Sequence, residues 1–474
     1  MRSRLLLQTR DSLRCAVKCR YGASYSALRW SSTETRKWST PLAKQLSEAI
    51  TATGPIPLAS FMRMCLTSDI FGELVGIWFV AEWMAQGKKR KGVELVEIGP
   101  GRGTLMDDML RTIRNFKPMA ESIEAVYMVE ASPALRDTQK QLLCGDAPMI
   151  ETETGFKSTS KYAGIPIMWT ENMRFVPSGA DKTPFIVAHE FFDALPIHAF
   201  QSVPPNPNAP EPTTIQTPTG THPLSPSTSK SSTAKTPQWR EMVVSPTPPN
   251  STHNDVHTPK SLQSQSSPPE FQLTLSKAST PHSLYLPEIS TRYRALKSIP
   301  DSLIEISPES HAIVADFASR IGGSETSPKP NPSGAALILD YGPSDTIPTN
   351  SLRGIKAHQR VSPLSEPGVV DLSADVDFIA LAEAAMNASE GVEVHGPMEQ
   401  GGWLESMGIK ERAEMLVKSL GQKDDEVKKR FEGAWKRLVD RGGSGMGKVY
   451  KVMAVVPENG GRRRPVGFGG GVMD

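Results

Sequence analysis

Apolar positions along the chain first follow a helical rhythm. Leu42, Leu46 and Ile50 repeat at a spacing of four, and residues 70–84 are apolar on nearly every face. Residues 41–85 are therefore predicted helical, with the second half buried. The pattern then alternates. Short apolar runs at 94–98, 125–130, 165–169 and 185–189 are separated by helical stretches at 103–116 and 133–143. Alternation of this kind predicts a largely parallel sheet with a ligand at the carboxyl ends of its strands. Helix 309–321, strand 335–341, helices near 375–388, 410–420 and 424–438, and a last strand at 448–456 complete the reading.

The regularity stops at Val203. Fifteen of the forty prolines fall in residues 203–269, among many Ser and Thr. Such a stretch cannot bury enough apolar area to offset its ordering entropy. Disordered insertions are expected at 203–237 and 245–269. They flank a strand-like island at 238–244, which is expected to pair with 271–276. A shorter loop, 322–334, separates helix 309–321 from strand 335–341. One domain, 91–457, follows a helical region at 39–90, and the basic glycine-rich tail at 458–474 reads as disordered.

Composition narrows the picture by exclusion. The net charge of +2 and the lack of one dominant basic block outside the two ends give no reason to expect nucleic-acid binding. The four cysteines form no CxxC pair and no Cys/His cluster, so neither a zinc site nor a disulfide framework is predicted, and no metal is expected. The apolar run 75–84 is too short to span a membrane and contains Glu82. Residues 1–37 carry nine Lys or Arg against Asp11 and Glu34, with Ser scattered throughout. That is the character of a mitochondrial presequence, expected to cover residues 1–38; a basic tail is the plainer alternative.

Two constellations carry chemistry. After the 94–98 run come Gly99, Gly101 and Gly103, and a helical pattern begins at once. Strand, glycine turn and helix present backbone N–H groups and a helix N-terminus to a nucleotide. The GxGxG spacing lacks the last glycine of the dinucleotide fingerprint and leans toward S-adenosylmethionine over NAD. Glu130 ends the next strand, where its carboxylate can accept hydrogen bonds from a ribose diol, or simply favour the helix N-terminus after Ser132. It lies further past the last glycine than the roughly twenty residues usual in dehydrogenases. Glu97 either meets the ligand's amino end or pairs with a backbone group under the loop.

The second constellation is His189-Glu190-Phe191-Phe192-Asp193, at the end of an apolar strand and so on the same sheet edge. Two carboxylates set among aromatics are costly to desolvate unless they bind something. A guanidinium suits them: it is planar and cationic, takes carboxylates bidentately, and is drawn to aromatic walls. The equally weighted alternative makes Asp193 a helix cap and Glu190 a surface charge.

These residues bear a family resemblance. The runs Gly54-Pro55-Ile56, Phe71-Gly-Glu-Leu-Val-Gly-Ile-Trp78, Glu97 to Leu105, Glu190 to Pro196, Trp239-Arg-Glu241, Leu339-Asp340-Tyr341-Gly342, Leu352-Arg353-Gly354 and Asp371 to Phe378 look like motifs of one family. The chain resembles the mitochondrial complex I assembly factor 7 family of protein arginine methyltransferases, the MidA-like family. The resemblance implies a class I Rossmann-like methyltransferase fold, with helices on both faces of a mostly parallel sheet, in the mitochondrial matrix. It implies S-adenosylmethionine held by Glu97, Gly99, Gly101, Gly103 and Glu130. Glu190 and Asp193 are the implied catalytic pair, with His189, Phe191 and Phe192 lining the substrate pocket. The implied reaction is symmetric dimethylation of an arginine on the 49-kDa-type subunit of complex I, early in assembly.

Two departures stand out. His189 replaces the family's usual Asn, which would make the pocket's charge pH-sensitive. Between Met64 and Phe71 the family carries a longer segment with a Gly-Asp-Phe-(Ile/Val)-Thr-Ser-Pro-Glu motif near the cofactor; here only residues 65–70 remain. Either coding sequence is missing or the cofactor pocket is truncated, and the intact flanking motifs favour a lost exon. The rival function is a non-catalytic assembly chaperone with a damaged pocket.

Overall fold

The computed structural model describes residues 68–205, 214–217, 220–223, 236–251, 257, 260–263, 268–357, 359–419, 425–443 and 445–470. The expected presequence, the 42–50 helical stretch and about half of the 203–269 insertion lie outside these residues.

The apolar runs become strands of one nine-stranded sheet. Its centre holds β1 (Val93–Ile98), β2 (Ile123–Val129), β5 (Pro166–Thr170), β6 (Thr183–His189) and β13 (Ala335–Tyr341). Their order is β13-β6-β1-β2-β5, every neighbouring pair parallel. All six residues of β1 are buried, as expected of a strand covered on both faces. Antiparallel strands finish each edge: β4 (Gly155–Thr159) and β3 (Ile150–Thr152) beyond β5, β18 (Tyr450–Pro457) and β17 (Val392–Glu399) beyond β13.

Helices cover both faces. Helices α1 (Ser68–Ala85), α2 (Thr104–Ile113) and α3 (Pro133–Cys144) share one core with residues of α6 (Gln400–Ser406), α7 (Ile409–Ser419) and α8 (Asp425–Val439). On the opposite face α4 (Pro308–Gly322) and α5 (Phe378–Ala388) pack against Val96, Ile186 and Ile338. Helix α1 packs closely on α2 because it carries Gly72 and Gly76 at that contact. A Cβ on Gly72 would stand 2.5 Å from Asp108 Cβ, and one on Gly76 3.1 Å from Met109 Cα.

A smaller antiparallel sheet interrupts the chain between β6 and β13. It runs β11-β10-β7-β12, from β7 (His198–Val203), β10 (Gln238–Pro246), β11 (Phe271–Leu275) and β12 (Leu303–Ile306). The island at 238–244 lies in β10, which pairs with β11 on one side and β7 on the other. Within the proline-rich stretch, β8 (Thr214–Thr217) and β9 (Gly220–Pro223) form a hairpin. Three short strands, β14 (Arg353–Lys356), β15 (Gln359–Val361) and β16 (Asp371–Ser373), make a third sheet.

The tail departs from the sequence-based expectation of disorder. Residues 458–470 run back over α1, where Val466 O accepts a 3.0 Å bond from Trp78 Nε1. Arg463 donates to both oxygens of Glu82, at 2.9 and 2.6 Å. Glu82 is wholly buried, and a buried carboxylate without a partner is strongly disfavoured. The basic residue that composition assigned to a free tail is the partner this helix needs. Arg463→Ala should cost on the order of 3–5 kcal/mol, because it leaves Glu82 buried and unpaired. Urea denaturation of wild type and variant checks this; a difference under about 1 kcal/mol would show the pair to be a surface contact.

Candidate functional site

The register of the parallel strands gathers the site. Ile98 lies opposite both Val129 and Ala188, and His189 lies opposite Leu339. The residues at the carboxyl ends of the strands therefore meet along one edge: the glycine loop, Glu130, Glu190 and Asp340.

Gly99, Gly101 and Gly103 take φ values of 64°, 51° and 80°, a region that a Cβ penalises. Gly99 N–H donates to Val129 O at 3.2 Å, which ties the loop to β2. A Cβ on Gly99 would lie 2.6 Å from Phe191 Cδ2, whereas one on Gly101 would meet nothing within 4 Å. Thus Phe191 closes one side of the loop and the space over Gly101 is open. Helix α2 starts at Thr104 after Gly103, which has no side chain to cap it, and of its first-turn N–H groups that of Met106 is taken by Glu97.

Beneath the loop Glu97 is buried, and its Oε2 has no hydrogen-bond partner. Burial, aided by the charge of Asp108, pushes its carboxyl up to about 8 against a bond from the Met106 backbone. Glu130, at the end of β2, accepts from Ser132 N–H at 2.8 Å and from Gln139 Nε2 at 3.2 Å. Gln139 was not anticipated from sequence. Its Nε2 also donates to Gly101 O at 2.7 Å, and its Oε1 accepts from Trp169 Nε1 at 2.9 Å. One fully buried amide on α3 thus fixes the spacing between the glycine loop and Glu130. A mid-helix Gln gives no local sign of such a role.

The second half of the site centres on Glu190. Its backbone is left-handed, φ 51°, a strained choice for a residue with a side chain. Glu190 N–H donates to Leu339 O at 3.0 Å. The N–H groups of Phe191, Phe192 and Asp193 then converge on Asp340 Oδ2 at 3.1, 2.8 and 3.3 Å. Asp340 Oδ1 accepts from Tyr341 N–H at 2.9 Å. A carboxylate held by successive N–H groups is an anion nest, and here it fixes the loop.

Glu190 itself is exposed, and its Oε1 accepts a hydrogen bond from the Tyr450 hydroxyl. Tyr450 and Tyr341 also share a hydroxyl–hydroxyl bond, their rings 4.1 Å apart between centroids. A hydroxyl carries a single proton, so with Tyr450 donating to Glu190 it is Tyr341 that donates to Tyr450. Burial, then the charge of Glu190, pushes Tyr341 up to about 12 and Tyr450 upward as well. Both phenols therefore stay protonated near neutral pH.

Not every expected site residue lands in the pocket. Phe192 is buried in the core against Phe317. Asp193 is buried, accepts from Ser373 Oγ at 2.8 Å through Oδ2, and accepts from Ala374 N–H through its carbonyl at 2.8 Å. Those bonds anchor the loop. Burial and then the charge of Glu190 push its carboxyl up, against the Ser373 bond. His189 packs on Phe71 of α1, with ring centroids 5.0 Å apart. Burial pushes its imidazole down despite Glu190 and Asp193, so near neutral pH the ring favours its uncharged form. The residues not foreseen as site members are Gln139, Asp340, Tyr341 and Tyr450. Asp340 and Tyr341 stood inside a recognised motif, but nothing in the sequence distinguishes Tyr450.

The comparisons with known proteins fall where the geometry points. Residues 74–398 match the model of a family described as putative S-adenosyl-L-methionine-dependent methyltransferases. This fold thus belongs to a methyltransferase whose cofactor is S-adenosylmethionine. The relatives are more specific. Proteins named "Protein arginine methyltransferase NDUFAF7, mitochondrial" are 30% identical in Rattus norvegicus (91% of this chain, 87% of the relative) and 31% in Homo sapiens (80% and 76%). The Drosophila melanogaster homologue is 31% identical, over 88% of this chain and 85% of its own. The chain belongs to this mitochondrial NDUFAF7 family, and the protein is mitochondrial. Among solved structures, two COG1565 superfamily proteins from Burkholderia thailandensis share the fold. Their TM-scores are 0.54 and 0.53 at 18% and 17% identity, each covering 90% of this chain and 94% and 92% of the other. The second was solved with S-adenosyl-homocysteine.

The residues present fit that cofactor. Glu97 Oε2 is buried and unpartnered, and the space over Gly101 is open. Glu130 keeps acceptor capacity, since two bonds do not fill the roughly four lone-pair sites of a carboxylate. Gly99→Ala should weaken S-adenosylmethionine binding at least about tenfold, since the Cβ must displace Phe191 by roughly an ångström at a strained φ. Equilibrium dialysis with labelled cofactor checks this; unaltered affinity would mean the loop is only a turn. A second expectation concerns pH. In the ligand-free protein the unfolded chain loses the Glu97 proton near 4.5 while the folded chain keeps it to about 8. The stability from this group is complete below 4.5, declines as pH rises toward 8, and is gone above it. Glu97→Gln removes that decline, so the variant should gain on wild type in urea midpoints between pH 5 and 8. Parallel curves would contradict the burial of an orphan carboxyl.

Proposed function

We propose that this chain transfers methyl groups from S-adenosylmethionine to an arginine of a protein substrate. In this reading it completes a symmetric dimethylarginine on the 49-kDa-type subunit of complex I during assembly. Family membership supports arginine as acceptor, and the resemblance of the motifs supports the subunit and the symmetric product. One observation carries the chemistry: an exposed carboxylate, Glu190, is held rigid beside the glycine loop by Asp340, Leu339 and Tyr450.

In this proposal Gly99, Gly101 and Gly103 receive the methionine end of the cofactor. Glu97 meets its ammonium and Glu130 its ribose hydroxyls. The cofactor supplies a methyl group already activated on a sulfonium. The protein's task is therefore mostly alignment and charge. With Oε1 held by Tyr450, Glu190 offers Oε2 to one guanidinium N–H and orients the nucleophilic nitrogen. That nitrogen sheds a proton after transfer, and Glu190 is the base positioned to receive it. Phe191, packed on Gly99, walls the acceptor side and adds cation–π attraction.

Turnover on an arginine peptide should fall at least about a hundredfold in Glu190→Gln, the scale of removing one preorganised charge. Cofactor affinity measured by calorimetry should stay as in wild type. Tyr450→Phe should lose about tenfold, near one hydrogen bond. Unchanged turnover in Glu190→Gln would remove that residue from the mechanism. Absence of any heat with S-adenosylmethionine in the wild type would favour the chaperone reading instead.

A further inference from the structure

Away from the methyl-transfer edge, three side chains converge on one point. His198 opens β7, two residues after Pro196 closes the acceptor loop. Glu241 lies in β10, which pairs with β7 so that Glu241 faces Phe200. His282 sits in the helical turn Pro281–Tyr285, whose start is fixed by a capping box between Thr280 and Ser283. His198 Nδ1 lies 2.7 Å from Glu241 Oε1, and His282 Nδ1 lies 3.6 Å from the same oxygen. The two imidazole centroids are 4.2 Å apart.

The donor set is that of a transition-metal site. One donor atom from each residue lies within 4.8 Å of the others. Tetrahedral zinc with bonds near 2.0–2.1 Å places its donors roughly 3.3–3.5 Å apart, so the observed 2.7 and 3.6 Å bracket that spacing. Two imidazoles and one carboxylate suit zinc, and they leave a fourth position for water. The carboxylate is oriented from behind, since its Oε2 accepts a hydrogen bond from Thr280 Oγ1. Ligating carboxylates are commonly held by such outer bonds. Glu241 is buried, whereas the His282 side chain is 51% exposed, which gives an ion an entry path.

We infer that His198, Glu241 and His282 bind a divalent transition-metal ion, best matched by Zn²⁺, that clips β7 and β10 to the turn at Pro281–Tyr285. The three ligands stand far apart in sequence and share no spacing motif, so the chain read linearly gives no sign of a metal. The clip fastens the smaller sheet where the acceptor loop leaves the core. It stands apart from the proposed methyl transfer and does not depend on it.

The test uses the full chain, stripped with a chelator and then titrated with Zn²⁺ by calorimetry. Wild type should bind one equivalent with a rise in melting temperature, because an ion that binds only the folded state stabilises it. His282→Ala, an exposed position that should leave the circular dichroism unchanged, should bind at least about tenfold more weakly and lose that rise. Glu241→Gln should do the same. Co²⁺ in place of Zn²⁺ should give wild type, and not His282→Ala, the visible spectrum of a tetrahedral centre. No bound equivalent in wild type, or equal binding by both variants, would overturn the site and leave a hydrogen-bonded His–Glu cluster.

Discussion

At the end of β13, the carboxylate of Asp340 accepts four backbone N–H groups, three of them from the loop that follows β6. Most of the site depends on that convergence. Without it, Phe191, Phe192 and Asp193 would each present a backbone donor to the interior, at a cost of about 1–3 kcal/mol per orphan. With it, the loop is turned so sharply that Glu190 adopts a left-handed backbone and stands out from the edge. The parallel register of β6 against β13 is what brings the two strand ends together. Long-range pairing in the sheet thus becomes local geometry at the site.

The two halves of the site share a wall. Phe191 follows the residue proposed to hold the acceptor, yet its ring is the nearest neighbour of Gly99 in the glycine loop. A side chain at Gly99 would therefore disturb both halves. Gln139 does the corresponding work on the other flank, linking Gly101 to Glu130 through one amide. Distances that decide catalysis are held by groups that need touch neither substrate nor cofactor.

Much of the central sheet was legible from residue pattern, because buried parallel strands read as short apolar runs and the turn after β1 needs glycines. The acidic and aromatic residues after β6 stood out for a related reason: they follow a wholly apolar strand and so sit at the same sheet edge as the glycines. What the sequence hid was direction. Phe191 and Phe192 are identical and adjacent, yet one packs on the glycine loop and the other enters the core. Asp193 and Glu190 are both carboxylates, but only Glu190 is exposed. Tyr450 reaches Glu190 across 260 residues, a separation that no local pattern reports. The tail misled in the opposite sense. Glycine and arginine suggested disorder, whereas Arg463 is the counter-charge of a carboxylate buried in α1.

The most direct test of the central claim is a crystal structure with S-adenosyl-homocysteine and an arginine peptide of the 49-kDa-type subunit bound together. The account predicts the cofactor's amino-acid end on the loop of Gly99 to Gly103, its ribose on Glu130, and the guanidinium within hydrogen-bonding distance of Glu190. A cofactor seated elsewhere, or an arginine that makes no contact with Glu190, would contradict it.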